Sequence, residues 1–450
     1  MNSKVAIEII CAVLLMSLGG AAPLPAQEEP SEKPIVLTLS DAIETALQRN
    51  YDLQIADSRI VEAEAAVTQA AAAGRFQLSF EGAYLRLGPV SSLEVPTPSG
   101  PETIEIGSDK TWNAGLSAYQ SLYSTGRNQA LRTLARLGVS TARLSAASRR
   151  HQTVLTTTQL FYGITQAQGM LRVAEQNEQR AHEQFQVAAA RVDAGAAPQF
   201  DQLRAEVEVA NAHQGVIAAR TAVATAKSQL KNLLAIDVAR PIEIEASAEL
   251  VLLAADWYAC RELASQMREE IKIAEQQVAA AEQSVRLARA ARGVNLGAIG
   301  AYNRQNASGF AQDYSWSLGV QASKPILDGG SSRSQQRQAD EQVKQAHLLQ
   351  QQTTEFVALD VWQAVLALDE AKAKLASTSK TVEQAEEGLR LAQIRYEAGV
   401  GTPVEVTDAR TALAAAETNH VNAVYSYRVA EARLARAVGV PASELPVTEQ

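Results

Sequence analysis

The chain has 450 residues, of which 41 are Lys or Arg and 50 are Asp or Glu, so its formal net charge is −9; apolar residues make up 46% and aromatic residues 5%. This composition excludes a disordered or collagen-like chain. The acidic balance argues against nucleic acid as a partner. A polytopic helical membrane protein is also excluded, because only the first segment lacks charges over a stretch that approaches a membrane span.

The first 26 residues are typical of a secretory signal peptide. Lys4 precedes the apolar run 9–18, and small residues up to Ala26 follow. The apolar run is too short for a bilayer of roughly 30 Å, so we expect cleavage; the alternative is a single anchoring helix. Cleavage leaves Cys260 as the one cysteine, which cannot form an internal disulfide and is expected to be a small buried residue.

The rest of the chain consists of an internal repeat, in which the same sequence pattern occurs twice. Arg-Val-Asp-Ala-Gly at 191–195 returns as Arg-Tyr-Glu-Ala-Gly at 395–399, an offset of 399 − 195 = 204. Upstream, Gly82 pairs with Gly300, an offset of 218, because the first copy carries a Pro-, Ser- and Gly-rich insertion that we interpret as a surface loop. We therefore divide the chain into a first repeat, 27–240, an inter-repeat segment, 241–256, a second repeat, 257–440, and a C-terminal tail, 441–450.

The sequence pattern of each copy predicts a helix, two strands, a long helix, a turn and a further helix, in that order. In the first copy, Ser40 is the candidate N-cap of the first helix, with Glu44 near the reciprocal position. This helix runs to about residue 74, and Asn50 is a candidate interruption.

The strands alternate between apolar and small polar residues. Each is about ten residues long, the length of a tilted membrane-spanning strand, which has roughly 9–11. Their aromatic residues, expected to face lipid, are Phe76, Phe80, Tyr84, Trp112, Tyr302 and Trp316. The alternative is the edge of a soluble sheet. Four strands cannot close a barrel, and lipid does not tolerate open edges, so several chains would have to pool their strands.

The helix lengths suggest a tube. Residues 125–192 contain no proline, which predicts a helix of roughly 100 Å at ~1.5 Å per residue. The shorter helices, 40–74 and 199–235, add up to a similar length and are expected to stack end to end beside it. The second copy repeats this with 331–398, 257–292 and 403–438. Faces rich in Ala and Gln favour a hollow wall of helices, and the alternative is a rod-like coiled coil without a lumen.

Three segments carry a resemblance to a known family: 120–126, 324–330 and, most specifically, 395–409. Together with the twofold repeat they resemble TolC-type outer-membrane efflux proteins, the outer membrane factors. The resemblance implies a mainly α fold with a small β part: a periplasmic helical tunnel continuous with a twelve-stranded barrel, to which each of three chains gives four strands.

The resemblance also implies the function and the partners. It indicates a homotrimeric channel in the outer membrane of a Gram-negative-type bacterium, with a large periplasmic part, serving tripartite efflux or type I secretion. A periplasmic adaptor (membrane fusion) protein, an inner-membrane transporter and outer-membrane lipid would be its partners. The alternative is a structural or adhesive periplasmic coiled-coil protein without a channel.

Two turns join the long helices to the helices that follow them. We call them the tip turns: Gly195, Ala196, Ala197 and Pro198 in the first copy, and Gly399, Val400, Gly401 and Thr402 in the second. Glycine suits the left-handed backbone that ends a helix, and proline suits the start of the next, so good turn chemistry alone explains these residues. The resemblance adds that such turns contact the adaptor.

The acidic residues after the tip turns are the candidate gate. Asp201 and Glu405 each follow their glycine by six residues, and Asp408 lies about one turn beyond Glu405. By resemblance they would form carboxylate rings at a threefold tunnel entrance, with Tyr396 as a gating tyrosine and Gly401 in place of a charged gating residue. The alternative is that these acids merely stabilise the helix dipole.

The sequence shows no sign of catalysis. Its five histidines are scattered, none forms a His-Glu-x-x-His pair, and no phosphate-binding glycine loop is present. We therefore expect no enzymatic activity, no cofactor and no metal site.

Overall fold

A computed structural model describes residues 34–89, 91–106, 109–246, 250, 252–306 and 312–449. The signal peptide expected over 1–26 lies outside these residues. The elements in chain order are β1 Ile35–Leu37, α1 Leu39–Arg49, α2 Tyr51–Ala72, β2 Gln77–Arg86, β3 Ser91–Thr97, β4 Gly100–Ile106, β5 Lys110–Tyr123, α3 Arg127–Asp193, α4 Gln199–Leu233, β6 Ile242–Ile244, β7 Leu253–Ala255, α5 Trp257–Met267, α6 Glu269–Ala290, β8 Asn295–Gln305, β9 Tyr314–Ser323, α7 Ser331–Glu397, α8 Pro403–Val438 and β10 Val447–Glu449, with a 3₁₀ turn at Ala442–Glu444 before β10.

The two long helices, α3 and α7, confirm the internal repeat and the mainly α class. Each has 67 residues, and their first residues, Arg127 and Ser331, are 331 − 127 = 204 positions apart. At ~1.5 Å per residue each is roughly 100 Å long.

The helices lie side by side in a fixed order. Helix α3 packs against α2 and α4 on one side and against α6 and α8 on the other, and α7 packs against α6 and α8. Two shorter helices therefore line each long one, as the sequence predicted. Among the described elements, α2 and α4 form one edge of this layer and α7 forms the other.

The break between the two short helices at the start of each repeat is made by a single residue. Asn50 accepts from the backbone N–H of Asp52 at 2.9 Å, which caps α2, and its amide donates to the Leu233 carbonyl at 3.2 Å. The equivalent residue, Arg268, donates to the Ala437 carbonyl at 2.9 Å. The expected interruption at Asn50 is thus present, and each break is tied to the end of its repeat's last helix.

The N-cap expected at Ser40 is wrong by two residues. Thr38 caps α1, because its hydroxyl accepts from the Asp41 N–H at 3.2 Å while the Asp41 carboxylate accepts from the Thr38 N–H at 3.1 Å. This capping box satisfies two backbone donors at once and places Ser40 inside the helix.

The four predicted strands form one antiparallel sheet in the order β2-β5-β8-β9. They have 10, 14, 11 and 10 residues. The insertion between β2 and β5, interpreted from sequence as a loop, instead forms an antiparallel ribbon of β3 and β4. Its prolines, Pro96 and Pro101, face each other beside the turn, so the strand-forming residues farther along remain free to pair.

Short strands join the segments that flank the repeats. β1 pairs in parallel with β6, and β7 pairs antiparallel with β10. The inter-repeat segment and the C-terminal tail, for which the sequence predicted no structure, therefore take part in the fold near the helix breaks.

Each repeat has its own apolar core. One cluster draws on the first repeat, including Phe161, Ile164 and Leu230, and the larger one draws on residues from Leu253 onward. Cys260 is fully buried in the second cluster, as expected from the sequence. Within the described residues, no helix combines the length and the apolar character that a membrane span requires.

Candidate functional site: the sheet and the tip turns

The sheet has one apolar face and one small polar face. On the first, Phe80, Leu116, Tyr302 and Trp316 are register partners in a row across all four strands. On the second, the corresponding row is Ser79, Ser117, Ala301 and Ser317. The six aromatic residues singled out from sequence are between 40% and 72% exposed in the single chain. Both edge strands, β2 and β9, are exposed along their whole length.

The tip turns close the opposite end of the helical layer. Gly195 and Gly399 have φ values of +68° and +75°, which an L side chain would strain. The N–H groups of Ala196 and Val400 donate to the carbonyls of Arg191 and Arg395, at 2.8 and 3.0 Å. Both turns therefore end their long helix with the same glycine-centred hydrogen-bond pattern.

Gly401 has a structural reason for lacking a side chain. A Cβ atom at this position would lie 2.9 Å from the Tyr396 backbone nitrogen and 3.0 Å from the Arg395 carbonyl carbon. Its N–H donates to the Arg395 carbonyl at 2.9 Å. The turn therefore folds back onto the end of α7 too closely for a charged residue at position 401.

Tyr396 is buried at the tip, with 3% of its surface exposed. Arg191 from the other repeat donates to its carbonyl oxygen at 2.6 Å and places its guanidinium carbon 4.6 Å from the ring centroid. The hydroxyl has no hydrogen-bond partner among the described residues. Burial raises the pKa of Tyr396; Arg191 opposes the shift and Asp201 adds to it. The backbone carbonyl and the ring of Tyr396, rather than its hydroxyl, make the observed contacts with Arg191.

A buried ion pair joins the last helices of the two repeats. Arg410 on α8 donates to the Glu208 carboxylate on α4 at 2.6 Å, and their side chains are 7% and 32% exposed. A cavity of about 20 Å³, lined by both residues, lies beside the pair. The sequence analysis missed this pair because it is not repeated: the positions 204 residues away hold Glu206 and Ala412.

Of the three candidate gate acids, Asp201 and Glu405 lie in the first turns of α4 and α8, and Asp408 lies about one turn farther along α8; their environments differ. Asp201 is half-buried, whereas Glu405 and Asp408 are exposed. Glu405 lies 3.4 Å from Arg395, but both side chains are largely exposed, so this pair contributes at most about 1 kcal/mol. The Thr402 hydroxyl accepts from the Glu405 N–H at 3.3 Å and caps α8. Glu405 thus takes part in the helix cap through its backbone N–H and presents its side-chain charge to solvent.

Comparison with known proteins finds one matching family model and a related secretion protein. A family model described as outer membrane efflux protein matches residues 42–235 and 261–440. The alkaline protease secretion protein AprF of Pseudomonas aeruginosa is 26% identical over 320 residues, covering 68% of this chain and 66% of AprF, so the match spans about two thirds of that relative.

Solved structures share the fold. CusC has a TM-score of 0.74 at 18% identity, with 94% of this chain and 98% of CusC covered. VceC from Vibrio cholerae has a TM-score of 0.73 at 19% identity, with 89% of this chain and 96% of VceC covered. These likenesses confirm the fold class, a mainly α chain that combines a small open sheet with a layer of long helices.

The family model covers far more than half of the chain, in both repeats. The family resemblance and the outer-membrane location implied by the sequence are thereby confirmed. The chain belongs to the outer membrane efflux protein family.

Proposed function

We propose that three copies of this chain form one duct that crosses the outer membrane and extends through the periplasm. The observation that carries this proposal is the four-stranded sheet with one apolar face and two open edges. Lipid does not tolerate unpaired edges. Because β9 runs antiparallel to β2, the β9 strand of one chain can pair with β2 of the next, and three chains give twelve strands.

The helical layer supports the same arrangement. Exposed apolar residues on α7, namely Leu349, Phe356, Leu359 and Leu366, follow one another at spacings of seven, three and seven. This is the heptad spacing of a helix that packs against a partner helix. The opposite edge also exposes apolar residues on α4, in the part of that helix near the tip turn: Phe200, Leu203, Val207 and Ile217. In the trimer, α7 of one chain packs against the α2 and α4 edge of the next.

In the proposed arrangement, the sheet at one end of the chain and the tip turns at the other have separate roles. Phe76, Phe80, Tyr84, Trp112, Tyr302 and Trp316 face lipid, and the serine-rich face lines the lumen. The tip turns expose small and apolar residues, among them Ala196 and Val400, to a periplasmic adaptor that links the duct to an inner-membrane transporter. No catalytic role is proposed.

At the tip, Asp201, Glu405 and Asp408 form carboxylate rings that favour cations, and Tyr396 belongs to the gate. The links from Arg191 to Tyr396 and from Arg410 to Glu208 hold the two repeats together there. They supply the charged restraint that Gly401 cannot provide.

The cargo class has two candidates. The family description names efflux, which favours export of small molecules. Export of a protein is favoured by AprF, whose name describes secretion of a protease. A strain lacking the chain separates them: small-molecule export raises its sensitivity to toxic compounds, whereas protein export removes a polypeptide from the culture medium.

Planar-bilayer recording of the purified full chain tests the duct. The proposal requires discrete conductance steps from protein extracted from the outer membrane. A periplasmic coiled-coil scaffold would be released without detergent and would conduct no ions, and that result would overturn the proposal.

A further inference from the structure

The four junctions between the sheet and the helices concentrate positive charge. Each junction supplies at least one exposed cation, and we call the five the basic girdle: Arg75 before β2, Arg127 after β5, Arg292 before β8, and Lys324 and Arg333 after β9. Across the segments 73–76, 124–127, 291–294 and 324–333, Asp328 is the only acidic residue. These segments therefore carry a net charge of 5 − 1 = +4, in a chain whose net charge is −9.

The charge of the girdle is not neutralised by the rest of the chain. The Asp328 carboxylate accepts from the N–H groups of Gly330 at 3.1 Å and Ser332 at 3.0 Å, so it is engaged at the start of α7. Farther along α3, Arg143 pairs with Glu64 at 2.8 Å. By contrast, no girdle cation forms an ion pair with another described residue. The girdle is therefore able to interact with anions outside the chain.

Large apolar residues lie at the same junctions. Ile326 and Leu327 are 94% and 96% exposed, more than any other large apolar residue in the described ranges. Their counterparts in the first repeat, 204 positions earlier, are Leu122 and Tyr123, which are 57% and 54% exposed. An apolar collar thus lies beside the basic girdle, a combination that is typical of the boundary between a membrane and water.

A β-bulge directs the first-repeat part of this collar to the apolar face of the sheet. The register of β5 against β8 shifts after Ser121, so that Tyr123 pairs with Leu296. Leu296 is six residues from Tyr302, and an even separation along a strand places both on the same face. Tyr302 belongs to the apolar row, so the bulge places Tyr123 on the face that is proposed to meet lipid.

A neighbouring chain does not account for the exposure of the collar. Strand β5 already has a partner on each side, β2 and β8, and yet Leu122 and Tyr123 remain more than half exposed. Because Ile326 and Leu327 are their counterparts in the repeat, we expect them to stay exposed when β9 pairs with the next chain. Lipid acyl chains then remain as the apolar surroundings that cover all four residues.

The position of the girdle identifies the lipid. In the proposed duct the sheet crosses the outer membrane and the helices extend into the periplasm, so the junctions lie at the level of the head groups of the inner leaflet. This step rests on the proposed function. A phosphate in a lipid head group complements the charge of the girdle, because arginine donates paired hydrogen bonds to phosphate oxygens.

We propose that the basic girdle binds anionic phospholipids of the inner leaflet. Their head groups lie beside the girdle cations, and their acyl chains pack against Tyr123, Ile326 and Leu327. Bound in this way, the lipids hold the sheet at a fixed depth in the membrane.

Spin-labelled phospholipids test the head-group preference. The purified full chain is reconstituted in phosphatidylcholine bilayers, and the motionally restricted fraction of spin-labelled phosphatidylglycerol is compared with that of spin-labelled phosphatidylcholine. We expect phosphatidylglycerol to associate at least about threefold more strongly at low ionic strength. The preference should shrink in about 1 M salt, because salt screens interactions between exposed charges.

A triple variant and a matched control locate the charge dependence. The girdle variant combines Arg75→Gln, Arg292→Gln and Lys324→Gln, and it should lose most of the preference for phosphatidylglycerol. The control combines Arg220→Gln, Arg240→Gln and Arg390→Gln, which remove three exposed arginines outside the girdle. It should keep the preference of the parent protein.

A nitroxide attached to the Leu327→Cys variant tests the apolar collar, since Cys260 is buried. In vesicles it should be more accessible to oxygen than to a water-soluble nickel complex. A nitroxide on Ser265→Cys, an exposed position on α5, should show the opposite order. Preferential access of the nickel complex to position 327 would overturn the contact with acyl chains.

Three results would overturn the binding of anionic lipid: equal association of the two phospholipids, a preference that survives in the girdle variant, or an equal loss in the control. A girdle variant that keeps the preference but shifts the reversal potential of the channel would place the cations in the lumen instead. Bilayer recording of the same samples keeps the two proposals separate. Conductance without a lipid preference contradicts the girdle alone, and a lipid preference without conductance contradicts the duct alone.

Discussion

Arg410 and Glu208 connect the final helices of the two repeats through a contact of 2.6 Å, and the arginine is almost completely buried. Breaking a buried pair by removing one partner typically costs about 3–5 kcal/mol, because the remaining charge stays buried. We expect Glu208→Gln to loosen the tip and raise single-channel conductance in planar bilayers. Glu206→Gln, two residues away and exposed, should conduct like the parent protein. Equal conductance in both variants would show that the pair does not restrain the tip.

Variants of Tyr396 separate the role of its ring, which contacts Arg191, from the role of its hydroxyl. The hydroxyl has no partner in the described structure, whereas the ring lies under the guanidinium. Tyr396→Phe should therefore keep the parent conductance. Tyr396→Ala removes a cation–π contact of roughly 0.5–2 kcal/mol and should raise conductance. A larger effect of the Phe variant than of the Ala variant would contradict this account.

The carboxylates behind the tip turns should determine block by trivalent cations. We expect Asp201→Ala, Glu405→Ala and Asp408→Ala each to raise conductance or weaken the block. Asp408→Ala should change the block more than Glu405→Ala does, because Arg395 lies near Glu405. Glu262→Ala, on α5 and far from the turns, serves as the control. Unchanged conductance and block in all three variants would leave only the helix-dipole role.

Glu270 makes the protein's stability depend on pH. Burial favours its neutral form, but Arg268 and Arg436 outweigh burial and lower its pKa from 4.5 to about 2. A pKa lowered by folding stabilises the protein above pH 4.5, and this stabilisation disappears as pH falls from about 4.5 to 2. The shift corresponds to at most about 3 kcal/mol.

Thermal unfolding of Glu270→Gln tests this linkage. At pH 7 the midpoint should fall, and the difference from the parent should shrink steadily below pH 4.5. Glu262→Gln should follow the parent protein at every pH. A difference that stays constant down to pH 2 would rule out the ionised Glu270 as its source.

The architecture could be predicted from the sequence because the patterns that indicate it are local and occur in both repeats. Helices of 67 residues follow from the absence of proline, and α8 begins at Pro403, as predicted from the fixed φ of proline. The insertion after β2 was assigned as a loop because proline and serine hide the pairing of β3 with β4. The Arg410–Glu208 pair was not predicted, since it joins two helices at positions that the repeat does not relate. Such contacts depend on how the helices pack side by side, which no periodicity within one helix reveals.

The central claim is that three chains share one closed sheet. Cysteine cross-linking between its edges tests this most directly, with Ser79→Cys on β2 combined in turn with Ser315→Cys, Ser317→Cys or Gly319→Cys on β9. All four positions lie on the small polar face, and Cys260 is buried. In outer membranes, at least one combination should give covalent species of two and three chains on a denaturing gel, and nothing larger. Uncross-linked single chains in every combination, or an unlimited ladder of larger species, would contradict the closed trimer.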